Sequence, residues 1–184
     1  MTATDITVFK DRQVKAKDIF YIKEIDKKTA YSFVRQYHYL GDAVFFCQQA
    51  FGLFLKATDE LVGAATYAPP QGISALKGWF GLPNSDKTIY ELSRLCMLPI
   101  LNGTNATSFL LGGSIKLLKK QKNIRAIITL ADSGRHIGSI YQVCNFKYYG
   151  LTDAKTDFYC EDGRLNPRGA VKDVYGVWLK RTRK

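Results

Sequence analysis

Four stretches of the sequence carry residue types that could do chemistry, and each also admits a plainer role. The run 89–98 (IYELSRLCML) places Glu91 and Arg94 inside an otherwise core-like strand pattern. Period-2 alternation puts Arg94 on one face with Leu92, Cys96 and Leu98. An unpaired guanidinium is costly to bury, so Arg94 needs a partner. That partner is either a salt-bridging residue on a neighbouring strand, or an anionic ligand or active-site carboxylate. Asp132 ends the apolar run 125–132 (RAIITLAD) and precedes Ser133-Gly134. A carboxylate at the carboxyl end of a strand sits where ligands gather in open α/β sheets, and it could act as a general base or orient one. Capping the next helix would use the same residues. His38, in Tyr37-His38-Tyr39, could shuttle a proton if it faces the pocket of Asp132, or could simply pack among aromatics.

A fourth stretch, 100–107 (ILNGTNAT), leads from the strand into a helix. Helix N-termini bind phosphate through free amide groups and the helix dipole. Gly103 permits a close backbone approach, and Asn102, Thr104, Asn105, Thr107 and Ser108 offer polar groups that would equally make an ordinary cap. Gly112-Gly113 inside that helix cost helix stability, which close packing of another backbone or of a ligand would explain.

The elements that must position these residues follow from periodicity and punctuation. Residues 19–26 read as a strand, and 27–39 as a helix ending at Gly41. Residues 45–57 and 61–68 read as a hairpin around Thr58-Asp59-Glu60. The stretch 69–87, with Pro69, Pro70, Pro83 and several glycines, reads as a long functional loop presenting Trp79 and Phe80. After strand 89–98, a helix over 107–122 carries Leu111, Ile115 and Leu118 on one face and its lysines on another. A buried strand over 125–132, a short helix over 136–145 and two strands near 146–160 and 174–182 complete a β-α-β-β-β-α-β-α-β-β order. The fold class is α/β (α+β), a mixed, largely antiparallel central sheet with helices on its faces.

With 184 residues, the length favours one domain spanning the chain, with a basic tail at about 180–184. The 46% apolar content excludes a disordered or fibrous chain. No apolar run reaches the roughly 18 residues of a membrane span, and the polar residues 1–17 argue against a secretion signal. Cys47, Cys96, Cys144 and Cys160 form no C-x-x-C pair, so reduced core cysteines in a cytoplasmic protein fit better than a zinc site, and no metal is expected. The balance of 27 Lys+Arg against 16 Asp+Glu gives a net charge of +11. That excess points to a polyanion such as nucleic acid. Lys116, Lys119, Lys120, Lys122 and Arg125 form one cluster, and Arg164, Arg168, Lys172 and the C-terminal residues another.

Taken in order, these pieces resemble the core of the GNAT acyltransferases. The stretch Ile140-Tyr141-Gln142-Val143-Cys144-Asn145-Phe146 looks like that superfamily's helix ending in L-Y-x-x-x-G-F, with Asn145 where glycine is usual. A narrower resemblance is to the GNAT-like Mom-type phage DNA-modification proteins. It is carried by Glu91-Leu92-Ser93-Arg94, the Asn105/Ser108 segment, Ala131-Asp132 and His136 to Gln142, followed by Asn145-Phe146, Tyr149-Gly150 and Pro167-Arg168-Gly169. The resemblance implies modification of adenine N6 in double-stranded DNA to a carbamoylmethyl-type adduct, protecting phage DNA from restriction inside a bacterial cytoplasm. It also implies that Arg94, Ser108, Asp132 and Tyr141 matter.

Several roles follow from that implication. Adenine N6 is stacked and paired, so the base must be flipped out, and Tyr39, Trp79 or Phe80 could stack on it. The amine is a poor nucleophile, which calls for a base, Asp132 with His38. Tyr141 would protonate the leaving group or position the donor, and Arg94 would hold a carboxylate or phosphate. Leu98, Asn102, Gly103, Thr104, Asn105 and Thr107 would line the donor site, and Lys119, Lys120 and Arg168 would meet the DNA backbone. One departure matters: the GNAT pyrophosphate loop Q/R-x-x-G-x-G/A has Ile100 and Asn105 here, so the donor is acetyl-CoA or another acyl or aminoacyl carrier. Two rivals stand beside this reading: an N-acetyltransferase acting on a protein amine, and a non-catalytic DNA-binding anti-restriction protein. The oligomeric state is open, a homodimer included.

Overall fold

Asp26 starts the first long helix by accepting the Thr29 N–H at 2.9 Å, one of the orphan donors of a helix N-terminus. In the computed structural model the described residues are 15–41, 45–70, 75–132 and 137–151, with the pairs 158–159 and 165–166. A short helix α1 (Ala16–Ile19), which the sequence pattern did not announce, precedes β1 (Phe20–Glu24) and α2 (Lys27–Tyr37). The hairpin β2 (Gln49–Leu55) and β3 (Leu61–Ala68) follows, then a π-helical turn (Ala75–Trp79) and β4 (Ile89–Met97). The helix α3 (Ala106–Gln121), the short β5 (Ala126–Ile128) and α4 (Ser139–Val143) complete this part, and β6 (Phe158–Tyr159) pairs antiparallel with β7 (Leu165–Asn166).

The sheet order is β1-β2-β3-β4-β5, antiparallel except for the parallel β4–β5 pair. The chain divides into two compact units, Met1–Lys147 and Tyr148–Lys184, and the sheet belongs to the first. α2 covers one face with Phe33 and Val34 against Phe45, Ala64 and Cys96. α3 covers the other with Leu110, Leu111 and Leu118 against Phe51, Leu53, Tyr67 and Leu92, and α4 adds Tyr141 and Cys144 to the same cluster. This is the mixed, largely antiparallel sheet with helices on both faces that the residue pattern calls for.

Several boundaries differ for physical reasons. The strand expected over 125–132 pairs only through Ile128, and the chain beyond it leaves β4. The helix expected over 136–145 is the shorter Ser139–Val143, because Asn145 at φ 64 ends it in the left-handed region. The strand expected from 146 does not begin within residues 146–151, and the strand expected over 174–182 lies outside the described residues.

One correction bears on the site. The β3–β4 register runs Thr66↔Arg94 and then Tyr67↔Leu92, so a bulge leaves Ser93 unpaired. Simple alternation placed Arg94 on the Leu92 face. The bulge instead keeps Arg94 with Cys96 and turns Leu92 to the α3 face, since Leu92 and Cys96 join different clusters. Gly113 is explained by packing: a Cβ there would overlap Ile22 Cδ1, whereas one on Gly112 would meet nothing within 4 Å.

Candidate functional site

β5 pairs with β4 only at Ile89, Tyr90 and Glu91, while β4 runs on to Met97. Beyond Leu92, whose carbonyl accepts a long 3.5 Å bond from Thr129 Oγ1, the β5-facing edge of β4 meets no strand among the described residues. The last strand pair of the sheet therefore parts beyond Leu92, where β5 ends and β4 continues. The bulge lies next to the end of this pairing, and by turning Leu92 to the α3 face it leaves Arg94 on the α2 face with Cys96.

Groups from both faces surround Arg94. Its Nη1 donates to the Ser93 carbonyl at 2.7 Å, and its guanidinium lies 5.0 Å from the centre of the Phe45 ring. Phe45 stacks against Tyr31 at 4.4 Å, and the Tyr31 hydroxyl donates to the Phe45 carbonyl, which fixes this aromatic shelf. Burial lowers the Arg94 pKa, opposed by nearby Tyr39, Glu91, Tyr141 and Tyr31. Guanidinium stays charged under such shifts, so the site holds a permanent cation.

His38 lies just past the end of α2. Burial, then the Arg94 charge, hold its pKa down to about 4. The Leu40 N–H donates to His38 Nδ1 at 3.2 Å, which makes Nδ1 the acceptor and leaves the proton of the neutral ring on Nε2. In this state His38 gives a hydrogen bond rather than taking a proton. The ring stacks on Tyr39 at 4.4 Å, and Tyr39 is 51% exposed.

Tyr141 reaches the same region from α4, on the opposite face. A Cβ on Gly138 would contact both the Tyr141 ring and Ala131 Cβ, which brings the exposed Asp132 segment beside the first turn of α4. Gly138 itself stands at φ 72, and Tyr141 N–H donates to its carbonyl at 3.0 Å. Asn145 adopts the left-handed conformation that the usual glycine would take, and Asn tolerates it better than most residues. The Phe146 N–H then closes on the Tyr141 carbonyl at 2.9 Å.

The loop before α3 forms a separate part of the site. Gly103 has φ 78, Asn102 and Asn105 are exposed, and the N-cap Asn105 makes no side-chain cap. Thr104 Oγ1 donates to the Leu101 carbonyl and accepts the Ala106 N–H, so its hydroxyl is spent on the turn. Ser108 Oγ donates to the Asn105 carbonyl at 2.9 Å, and Thr107 is half-buried in the same turn. Leu98, packed against both core clusters, links this loop to β4.

Lys119 and Lys120 are exposed at the far end of α3, and Trp79 is exposed in the π-helical turn. His136, Pro167, Arg168 and the C-terminal basic residues lie outside the described residues. Among the described residues, no group of three or more His, Cys, Asp or Glu could hold a metal, and no helix is long and apolar enough to cross a membrane. Burial pushes the Cys96 thiol up to about 11, and Cys47 and Cys144 also rise, as for core thiols. Tyr31, Phe45 and Thr66 were not singled out from the sequence, and Ser93 entered only as part of Glu91-Leu92-Ser93-Arg94. The usable signal was a hydroxyl inside an apolar run, LVGAATYA for Thr66 and ELSRLCM for Ser93.

The model of the Mom protein family matches residues 19–176. Two solved structures resemble the fold at low identity. A proposed acetyl transferase from Pyrococcus furiosus has a TM-score of 0.51 and 12% identity, covering 74% of this chain and 98% of that one. An aminoglycoside N-acetyltransferase in complex with CoA has a TM-score of 0.50 and 11% identity, covering 74% and 93%. No curated protein matches the sequence significantly.

Proposed function

From the premise that this chain belongs to the Mom protein family and has a GNAT acetyltransferase-like fold, we propose that it modifies the N6 amine of adenine in double-stranded DNA. The product is a carbamoylmethyl-type adduct that shields DNA from restriction enzymes. The observation that carries this reading is the gathering of His38, Tyr39 and Tyr141 around Arg94 of β4. The charge of +11 supports a duplex polyanion as the substrate, since a small amine would not require it.

The residues near the β4–β5 parting fit an acyl carrier lying along β4. The free β4 edge would pair with an extended chain, and Leu98, Asn102, Gly103, Asn105 and Thr107, at the start of α3, would hold its phosphates. Thr104 would shape that turn. An acyl-CoA, when bound, supplies an activated carbonyl carbon and a thiol leaving group, which gives an N6-acyl adduct directly; a carbamoylmethyl adduct requires a carrier whose leaving group sits on the methylene carbon that N6 attacks.

On this reading the flipped adenine stacks on exposed aromatics, Tyr39 first and Trp79 at the rim. Asp132 accepts a proton from N6 as the N6–carbon bond forms, and Tyr141 gives a proton to the departing carrier. His38 donates its Nε2–H to a substrate oxygen, and Arg94 stabilises negative charge beside it. Lys119, Lys120 and Arg168 contact backbone phosphates, which positions the duplex without reading sequence.

The test is restriction challenge of plasmid DNA from expressing cells, after complete removal of protein. Protection that survives deproteinisation and is lost with Asp132→Ala supports a covalent change. Cleavage of the stripped DNA, with protection only while protein is bound, would favour the non-catalytic masking protein.

A further inference from the structure

Three buried side-chain atoms, Thr66 Oγ1, Ser93 Oγ and Arg94 Nε, have no hydrogen-bond partner among the described residues. They are neighbours. Thr66 is the cross-strand partner of Arg94, and Ser93 is the residue left unpaired by the bulge between them. Thr66 is 0% exposed. Elsewhere the fold satisfies such a group: Ser114, equally buried, shares a 2.7 Å bond with the Tyr67 hydroxyl and donates to the Leu111 carbonyl. Buried polar atoms without partners are rare, and three at one bulge point to a partner from outside the chain.

The donor set describes that partner. Arg94 Nε offers one charged N–H, and its Nη1 is committed to the Ser93 carbonyl. The two hydroxyls can each donate or accept. A planar carboxyl-derived group answers all three, because its oxygens accept from Nε–H and a hydroxyl and an amide N–H can return one bond. An acetyl methyl would leave all three unanswered at the point where the fold has placed them.

We propose that the β4 bulge is a cradle for a carboxamide or carboxylate on the group this protein transfers, with Thr66 and Ser93 as specificity-determining residues. This rests on the reading of the Arg94 surroundings as a group-transfer site. The cradle selects a polar transferred group over acetyl, and the isosteric Thr66→Val change removes the hydroxyl without changing the packing volume.

The experiment compares full-length wild type with the double variant Thr66→Val/Ser93→Ala in two measurements. The first is the thermal unfolding midpoint, which rises in the variant if the hydroxyls are unsatisfied in the free protein. The second is affinity for duplex oligonucleotides carrying one N6-carbamoylmethyl, N6-carboxymethyl or N6-propyl adenine. Wild type should prefer one or both polar adducts over propyl at least fivefold, and the variant should lose that preference. The two polar arms tell carboxamide from carboxylate. A lower midpoint in the variant, or no polar preference in wild type, overturns the proposal. A polar preference in a protein that leaves cellular DNA unmodified would uphold the cradle and defeat the group-transfer reading beneath it.

Discussion

Acidification should destabilise this protein in part through His38. In the folded chain its pKa is held at about 4, against 6.5 for an unperturbed imidazole. A depressed histidine is neutral in the folded state while the unfolded chain takes up a proton. Its contribution to stability is therefore fully present above about pH 6.5 and is lost as pH falls toward 4. At about 1.4 kcal/mol per pH unit, that gap sets a ceiling near 3 kcal/mol. The ring is only partly buried, so solvent screening reduces the expected loss to about 1–2 kcal/mol. Urea unfolding at pH 7.5 and 4.5 should show wild type losing about that much more stability than His38→Gln, with the carboxylates common to both. His38→Gln also tests the hydrogen-bond role, because its amide keeps a donor near the Nε2 position. Activity within about tenfold of wild type is expected for Gln, and a larger loss for His38→Ala. Equal pH slopes for wild type and His38→Gln, or a His38 resonance titrating at 6.5 or above, would refute the neutral donor. Loss of activity in Gln as complete as in Ala would return His38 to the role of a base.

Two further outcomes probe the frame of the site. Gly113→Ala should lower stability by about 1–2 kcal/mol in thermal melts, as overlap with Ile22 outweighs the roughly 1 kcal/mol gain in helix propensity. Adding Ile22→Val, which removes the overlapping Cδ1, should recover most of the loss. Asn145→Ala should cost about 1 kcal/mol in urea unfolding because φ 64 strains any side chain unable to tolerate the left-handed region, whereas Asn145→Gly should be neutral or slightly stabilising.

Much of the frame was legible because it rests on local rules. The hairpin strand over 61–68 agrees with its observed bounds, and the lysine-faced helix over 107–122 shifts by one residue to Ala106–Gln121. The site was legible as a set of residue types, but not as an arrangement. Period-2 alternation cannot foresee a bulge, so it assigns Arg94 to the Leu92 face, and nothing in it points to the neighbours Phe45 and Thr66. The His38 tautomer was equally hidden, since it depends on a backbone N–H two residues away. The Gly112-Gly113 pair left packing and ligand open together. Only the position of Ile22 across the helix–sheet interface decides for packing at Gly113.

The central claim is a covalent change to adenine, and nucleoside mass spectrometry tests it most directly. Plasmid DNA from cells expressing the protein would be digested to nucleosides alongside DNA from cells expressing Asp132→Ala and Arg94→Ala. The account predicts a deoxyadenosine heavier than normal in the wild-type sample and absent from both variants, its added mass identifying the group transferred. Unmodified deoxyadenosine from cells containing abundant, folded wild-type protein would contradict it.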